Sequence, residues 1–240
     1  MVEVMNRAPS VFQVERLDLI FAPKPWAYAI ERRAEIDAFF VTLQREKPAI
    51  WNGRVLLLHA HAVENGVFRG SFFETDYASL AAWVRWGRPA AAAVNDCFSA
   101  AAILSADGAY LLGRMAPHTF QVGSIYFPAG TPDPSDIAGG KVDFDFSVRR
   151  ELKEETGLDA EEFAADPGWT AVVDNGLIVM IKLFRSEQSA EVLRTRILRL
   201  LEREEQPEFD EIRVVRGPSD FDPAMPGFVT AFLAQRFGGG

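Results

Sequence analysis

Arg150, Glu151, Glu154 and Glu155 crowd one guanidinium and three carboxylates into the run Arg150-Glu151-Leu152-Lys153-Glu154-Glu155-Thr156-Gly157-Leu158. On an α-helix, Glu151 and Glu155 stand at i and i+4, with Glu154 one position round from the latter. Like charges on neighbouring ridges repel unless something cationic sits among them. Arg150 neutralises only part of the cluster and Lys153 is directed elsewhere. A hard divalent cation bound through oxygen resolves the repulsion, and Mg²⁺ (or Mn²⁺) is the usual choice beside phosphates. The plainer reading is a solvated acidic helix end capped by a glycine.

The nine residues fit the pattern Arg-Glu-apolar-x-Glu-Glu-x-Gly-apolar and so resemble the back half of the Nudix box. The front half is less regular. Phe127-Pro128-Ala129-Gly130 resembles the Phe-Pro-Gly-Gly that opens the box, and five residues then lead to Asp136, with Asp133 also in the gap. Both aspartates stand where the family usually has glutamates. Thirteen residues separate Asp136 from Arg150 where the family has about seven. The stretch Ile137–Phe146 therefore reads as a looped-out insertion with a turn at Gly139-Gly140. A rival alignment takes Gly139-Gly140 as the box glycines and Asp143 as the acid. It leaves too few residues before Arg150 and strands the Phe-Pro-Ala-Gly match.

The resemblance implies a hydrolase of diphosphate linkages. It makes Glu151, Glu154 and Glu155 metal ligands, with the backbone carbonyl of Gly130 available as another. It gives Arg150 the task of orienting the glutamates by ion pairing. Gly157 is expected to end the helix in a left-handed conformation, and Leu152 and Leu158 to be core. The general base stays open between a box glutamate (Glu151 or Glu154) and a later acid. Glu208 and Glu211 are the downstream candidates, and Glu208 is favoured because it follows the stiffening Pro207.

A diphosphate carries negative charge that repels attacking water. Metal ions offset that charge and lower the pKa of bound water, and a placed carboxylate accepts the proton. The substrate class is a nucleoside diphosphate linked to another moiety. The interrupted box, the Asn52-Gly53 region and Thr75-Asp76-Tyr77 are similar to a branch that includes hydrolases splitting UDP-glucose into UMP and glucose 1-phosphate. Trp51, Tyr77, Trp83, Trp86, Phe120 and Tyr126 could stack on a base, or serve as packing. The competing class is a catalytically weak Nudix-fold nucleotide sensor, supported by the two aspartates and the insertion.

The elements that must position these groups fill 240 residues, 48% of them hydrophobic and 12% aromatic, enough for one large domain or a domain with a lobe. A net charge of −9 disfavours nonspecific binding to nucleic acid or anionic membrane. The single cysteine, Cys97, excludes an intrachain disulfide and reads as a core filler; three scattered histidines make no zinc cage. Early charges at Glu3 and Arg7 argue against a signal peptide, and the Ala-rich window from Pro89 to Leu104 is too short and polar to span a bilayer. Both point to a cytoplasmic protein. Nudix proteins often dimerise, so a homodimer is compatible with the resemblance, although no interface signature is visible.

Periodicity divides the chain in two. Residues 1–88 are expected to form an N-terminal α+β lobe that covers the substrate: a strand over Val11–Ile20, a helix over Tyr28–Gln44, a hairpin from Val55 to Phe73, and a helix capped at Thr75-Asp76-Tyr77. Residues 89–240 are expected to form the Nudix domain. Its hairpin runs from Phe98 to Arg114, with strands at Trp169–Val173 and Leu177–Arg185. An amphipathic helix over Glu187–Glu205, a late strand at Ile212–Val215 and a last helix over Phe228–Phe237 follow. Gly238–Gly240 should be disordered. The expected fold class is α+β, a Nudix α/β/α sandwich with a mixed sheet plus the lobe.

Overall fold

The alternation over Val11–Ile20 resolves into two strands, β1 (Ser10–Val14) and β2 (Arg16–Phe21), and the break at Glu15 sends them to different sheets. The computed structural model describes residues 8–238; Glu3 and Arg7, and the last two glycines, lie outside the described residues. Two helices follow, α1 (Ala27–Glu31) and α2 (Arg33–Glu46). The hairpin β3 (Arg54–Glu64) and β4 (Val67–Asp76) turns at Asn65-Gly66, both at positive φ. Asp76 then caps α3 (Tyr77–Arg85), accepting from the Ser79 backbone N–H at 2.9 Å, as the sequence predicts.

Next come β5 (Asp96–Leu104), β6 (Tyr110–Met115) and the two-residue strands β7 (Ile125–Tyr126) and β8 (Ala129–Gly130). The short hairpin β9 (Ile137–Ala138) and β10 (Lys141–Val142) precedes helix α4 (Phe144–Thr156). The chain continues through β11 (Ala164–Ala165), β12 (Trp169–Asp174), β13 (Leu177–Arg185), α5 (Ala190–Leu201), β14 (Phe209–Val215) and α6 (Gly227–Gly238). The helix expected over Glu187–Glu205 is shorter at both ends. The late strand starts three residues earlier than the pattern suggests, because Phe209 is fully buried.

The larger sheet runs β1-β12-β13-β5-β6-β14 and is mixed: β13 and β5 are parallel and the other long pairs antiparallel. Side chains on a strand alternate between faces, and β5 shows the result. Cys97, Ala101 and Ile103 pack with Val148 and Leu152 of α4 and with Leu193 and Ile197 of α5. Ala100 and Ala102 pack with Phe228, Val229, Phe232 and Leu233 of α6. The result is the expected α/β/α sandwich.

The smaller sheet runs β3-β4-β2-β10-β9. Leu56, Leu58 and Phe72 face the main core, where Phe72 meets Phe144 edge-on at 5.7 Å, while Leu57 and Phe73 face α2 and α3. The sequence division at residue 88 does not follow the sheets. β1 pairs with β12 in the larger one, and β10, from the box insertion, joins β2 through Lys141 and Ile20. The lobe and the core are therefore interleaved. Among the described residues no helix is long and apolar enough to cross a membrane.

Candidate active site

Helix α4 begins at Asp143, whose carboxylate accepts from the Phe146 N–H at 2.9 Å, and ends at Gly157 in the left-handed region at φ 69°. Val148 and Leu152 are fully buried, and Glu151 and Glu155 lie on the adjoining part of the same buried face, with Arg150 and Glu154 at its more exposed edge. Arg150 is the hub. Its guanidinium lies 2.8 Å from Glu151, 3.3 Å from Glu154 and 3.2 Å from Asp136.

Of the two acids the sequence offered before the helix, Asp136 is the one that meets Arg150. Its side chain is wholly buried, its Oδ2 accepts from the Asp133 N–H at 3.0 Å, and a 3-10 turn (Pro134–Asp136) fixes its place. Gly139 and Gly140 are the positive-φ turn of the β9–β10 hairpin, and Asp143 is a helix cap. Asp143 is not among the ion-pair partners of Arg150. The hairpin, residues 137–142, accounts for the surplus between Asp136 and Arg150; the insertion is paired structure and not a free loop.

The box opening docks directly on the glutamates. The Ala129 N–H donates to Glu155 at 3.0 Å. At Gly130, held in register opposite Ser99 of β5, a methyl group would overlap the Glu151 carboxylate. Gly130 is required there by close approach and not by a left-handed backbone.

Glu208 arrives from the segment before β14, anchored where its carbonyl accepts from the Ala116 N–H at 2.8 Å. Its carboxylate comes close enough to Glu155 to disfavour the ionised form there. Glu211 goes elsewhere: it lies within β14, 3.0 Å from Arg213 and 3.3 Å from Arg114. Of the two downstream acids, the fold brings only Glu208 to the cluster.

Burial dominates the electrostatics. It raises the Glu151 carboxyl to about 7, helped by Glu154, Glu208 and Asp136 and opposed by Arg150. Glu155 is pushed well above the ordinary range by burial, then by Glu208 and Glu151. As arranged, no three His, Cys, Asp or Glu side chains among the described residues form a group that could hold a metal ion. Arg150 sits between Glu151 and Glu154, whose side chain is 60% exposed. The donor chemistry nonetheless fits a hard cation: every candidate ligand is an oxygen, and crowding already disfavours the ionised carboxylates that a cation would stabilise.

That crowding sets the pH dependence of the metal-free protein. The Glu151 carboxyl rises from an unfolded value near 4.5 to about 7 in the fold, so between those values the folded state binds more protons than the unfolded one. Metal-free stability should fall as pH rises through that window, and cation binding should displace the same protons. Melting curves should show a Tm rise with Mg²⁺ or Mn²⁺ that is larger at pH 8 than at pH 5.5. An equal rise at both would dissociate the cation from these carboxylates.

Arg150, Glu151, Glu154 and Glu208 form one wall of a cleft of about 940 Å³. Tyr77 and Leu80 of α3 and Trp51 line it from the smaller-sheet side; Asp96, Phe98, Tyr126 and Phe228 line it from the larger. Four of the six aromatic candidates, Trp51, Tyr77, Phe120 and Tyr126, reach the cleft. Trp83 is buried among α1 and α2, and Trp86 packs on Phe39 at 6.1 Å. The sequence reading missed Asp96 and Arg88, which also line the cleft. The available signal was a charge at the head of an otherwise apolar strand.

No family model matches the chain, and no curated protein matches it. Among solved structures it is similar to Nudix proteins. A Nudix hydrolase from M. smegmatis aligns at 19% identity over 58% of this chain and 81% of that one, with a TM-score of 0.36. A MutT protein from Methanosarcina mazei Go1 aligns at 17% identity over 60% and 93%, with a TM-score of 0.37. A bifunctional NMN adenylyltransferase/ADP ribose pyrophosphatase from Francisella tularensis, complexed with AMP and a Mn ion, aligns at 15% over 61% and 42%, with a TM-score of 0.39. Overlap this slight leaves the functional reading to rest on the site's own residues.

Proposed function

We propose that the protein is a metal-dependent hydrolase of the Nudix type, cleaving the pyrophosphate bond of a nucleoside diphosphate linked to another moiety. One observation carries the reading. Glu151 and Glu154 of α4 line, with Gly130 and Glu208, the wall of a cleft large enough for a nucleotide derivative, and the buried Glu155 of the same helix lies beside Glu208. Glu151, Glu155, Glu154 and the Gly130 carbonyl would hold Mg²⁺ or Mn²⁺. Bound there, the cation would neutralise phosphate oxygens and acidify a water.

The chain's own residues do the rest. Arg150, braced by buried Asp136, fixes the rotamer of Glu151 and can release the exposed Glu154 towards the cleft. Glu208, beside Glu155, is the base that accepts the proton of the attacking water. The aromatic rings from the smaller-sheet side cover the non-phosphate end. Within this class a UDP-sugar such as UDP-glucose, giving UMP and a sugar 1-phosphate, is the substrate the box resemblance favours.

Glu208→Gln should lower kcat by roughly 10²–10⁴-fold with little change in KM. Glu211→Gln should stay within about twofold, because its ion pairs lie on the sheet and a surface pair contributes little. Matching losses in both variants would remove Glu208 from the role of base.

The direct test is product chromatography with Mg²⁺ and with Mn²⁺ across UDP-glucose, ADP-ribose, NADH, CoA and dinucleoside polyphosphates. Metal-dependent cleavage of one member names the substrate class. The second reading, a nucleotide sensor, draws on Arg150 already occupying the space between Glu151 and Glu154. Silence across the panel, with one ligand still raising Tm, would favour it.

A further inference from the structure

The cleft has a second polar end that the hydrolytic cluster does not use. Asp96, the first residue of β5, lines it with a side chain almost wholly enclosed: the residue is 7% exposed, and its Oδ1 has no hydrogen-bond partner. A buried carboxylate oxygen without a partner is costly, and such groups are rare in folded proteins. The Asp96 backbone is spoken for, since its N–H donates to the Gly176 carbonyl at 2.9 Å. The nearest opposite charge is Arg88, held at a strained positive φ of 53°, whose Nε is also buried and unpartnered. Arg88 influences Asp96 electrostatically, yet the two make no ion pair within 4.0 Å. Both residues line the cleft, and each carries a buried polar atom without a hydrogen-bond partner.

The strand register sets the distance from the hydrolytic cluster. Ser99 lies opposite Gly130, and Asp96 is three residues back along β5, about 10 Å at the rise of a strand. Tyr126 lines the same cleft and feels the charges of both Asp96 and the acids Glu155 and Glu208. A diphosphate seated at the glutamates would therefore direct its attached ring along Tyr126 towards Asp96.

We infer that Asp96, with Arg88 and the Tyr77 hydroxyl beside it, forms a specificity subsite that takes a ring bearing hydrogen-bond donors, N–H or O–H, on the non-phosphate end of the substrate. Asp96 accepts from the donor, and Arg88 donates to an acceptor on the same ring. The subsite is a positioning device, and hydrolysis itself stays with the glutamates. The inference rests on the pyrophosphohydrolase reading.

Asp96→Asn, which keeps the shape, converts one acceptor into a donor. For the best-cleaved member of the substrate panel it should raise KM about tenfold or more and leave kcat within about twofold. Cleavage of dimethyl diphosphate, which has no ring, should not change. Tyr77→Phe should move the same substrates in the same direction by a smaller factor, and it serves if the Asp96 variant folds poorly. Methylating the base nitrogen abolishes the difference between wild type and variant if a nucleobase is read; deleting a hydroxyl abolishes it if a sugar is read. Unchanged KM ratios across the panel in both variants would overturn the subsite. Absence of any cleavage by the wild type would instead overturn the hydrolase reading beneath it.

Discussion

Glu155→Gln should reduce metal-dependent turnover by roughly 10²–10³-fold, the loss expected when several kcal/mol of charge stabilisation at a metal is withdrawn. The substitution isolates charge from shape. Glutamine keeps an oxygen to accept from the Ala129 N–H, now bonded to Glu155 at 3.0 Å, so the box opening should stay docked. Its neighbours Glu208 and Glu151 both disfavour the ionised carboxylate. The variant should therefore melt no lower than the wild type without metal, while the Tm rise caused by Mg²⁺ shrinks. Loss of turnover with the metal-induced Tm rise intact would show that Glu155 serves catalysis without holding the cation. Unchanged turnover would remove it from the site altogether.

The helix that carries this chemistry was legible because its signals are local. Gly157 as left-handed stop and Leu152 as core follow from composition and period alone, and the structure has both, whereas Asp143, which the sequence offered only as a rival box acid within a loop, is the helix cap. Asp136 was legible as the box acid only through spacing. Its function, bracing Arg150 from full burial, depends on β9–β10 being paired to β2, a contact across more than a hundred residues that no local pattern encodes. The same non-local pairing hides the interleaving of the sheets. An alternating stretch from Val11 to Ile20 looks like one strand, and only the partners of its halves, β12 and β4, reveal two. Glu208 and Glu211 differ by three positions and look equivalent in sequence. Glu208 stays in the approach to β14 and reaches Glu155, whereas Glu211 lies in the strand between two arginines. Asp96 was passed over because its meaning lies in lacking a partner, and sequence patterns report partners poorly.

Gly130→Ala should cost both activity and stability, though it adds a single methyl group. The backbone at Gly130 lies outside the left-handed region, so alanine suffers no conformational penalty there, and the whole effect must come from packing. The two backbones are fixed, so the end of the Glu151 side chain is what must yield. β8 is pinned to β5 through Ser99, and α4 is held from behind by the fully buried Val148 and Leu152. The Glu151 carboxylate must swing away, giving up its 2.8 Å pair with Arg150. Overpacking of this kind costs about 1–3 kcal/mol, or a Tm lower by roughly 2–12 °C in a domain of this size. Displacing a catalytic ligand by about 1 Å costs about 100-fold in turnover. A second change separates the two effects. Adding Glu151→Asp shortens the side chain by about 1.5 Å, one carbon–carbon bond, and makes room for the methyl. The double variant should recover most of the lost Tm while remaining as slow as the single one, because the shortened carboxylate no longer reaches the position Glu151 occupies. Full turnover in Gly130→Ala would mean that Glu151 acts from some other rotamer, and that the contact between box opening and helix is packing alone.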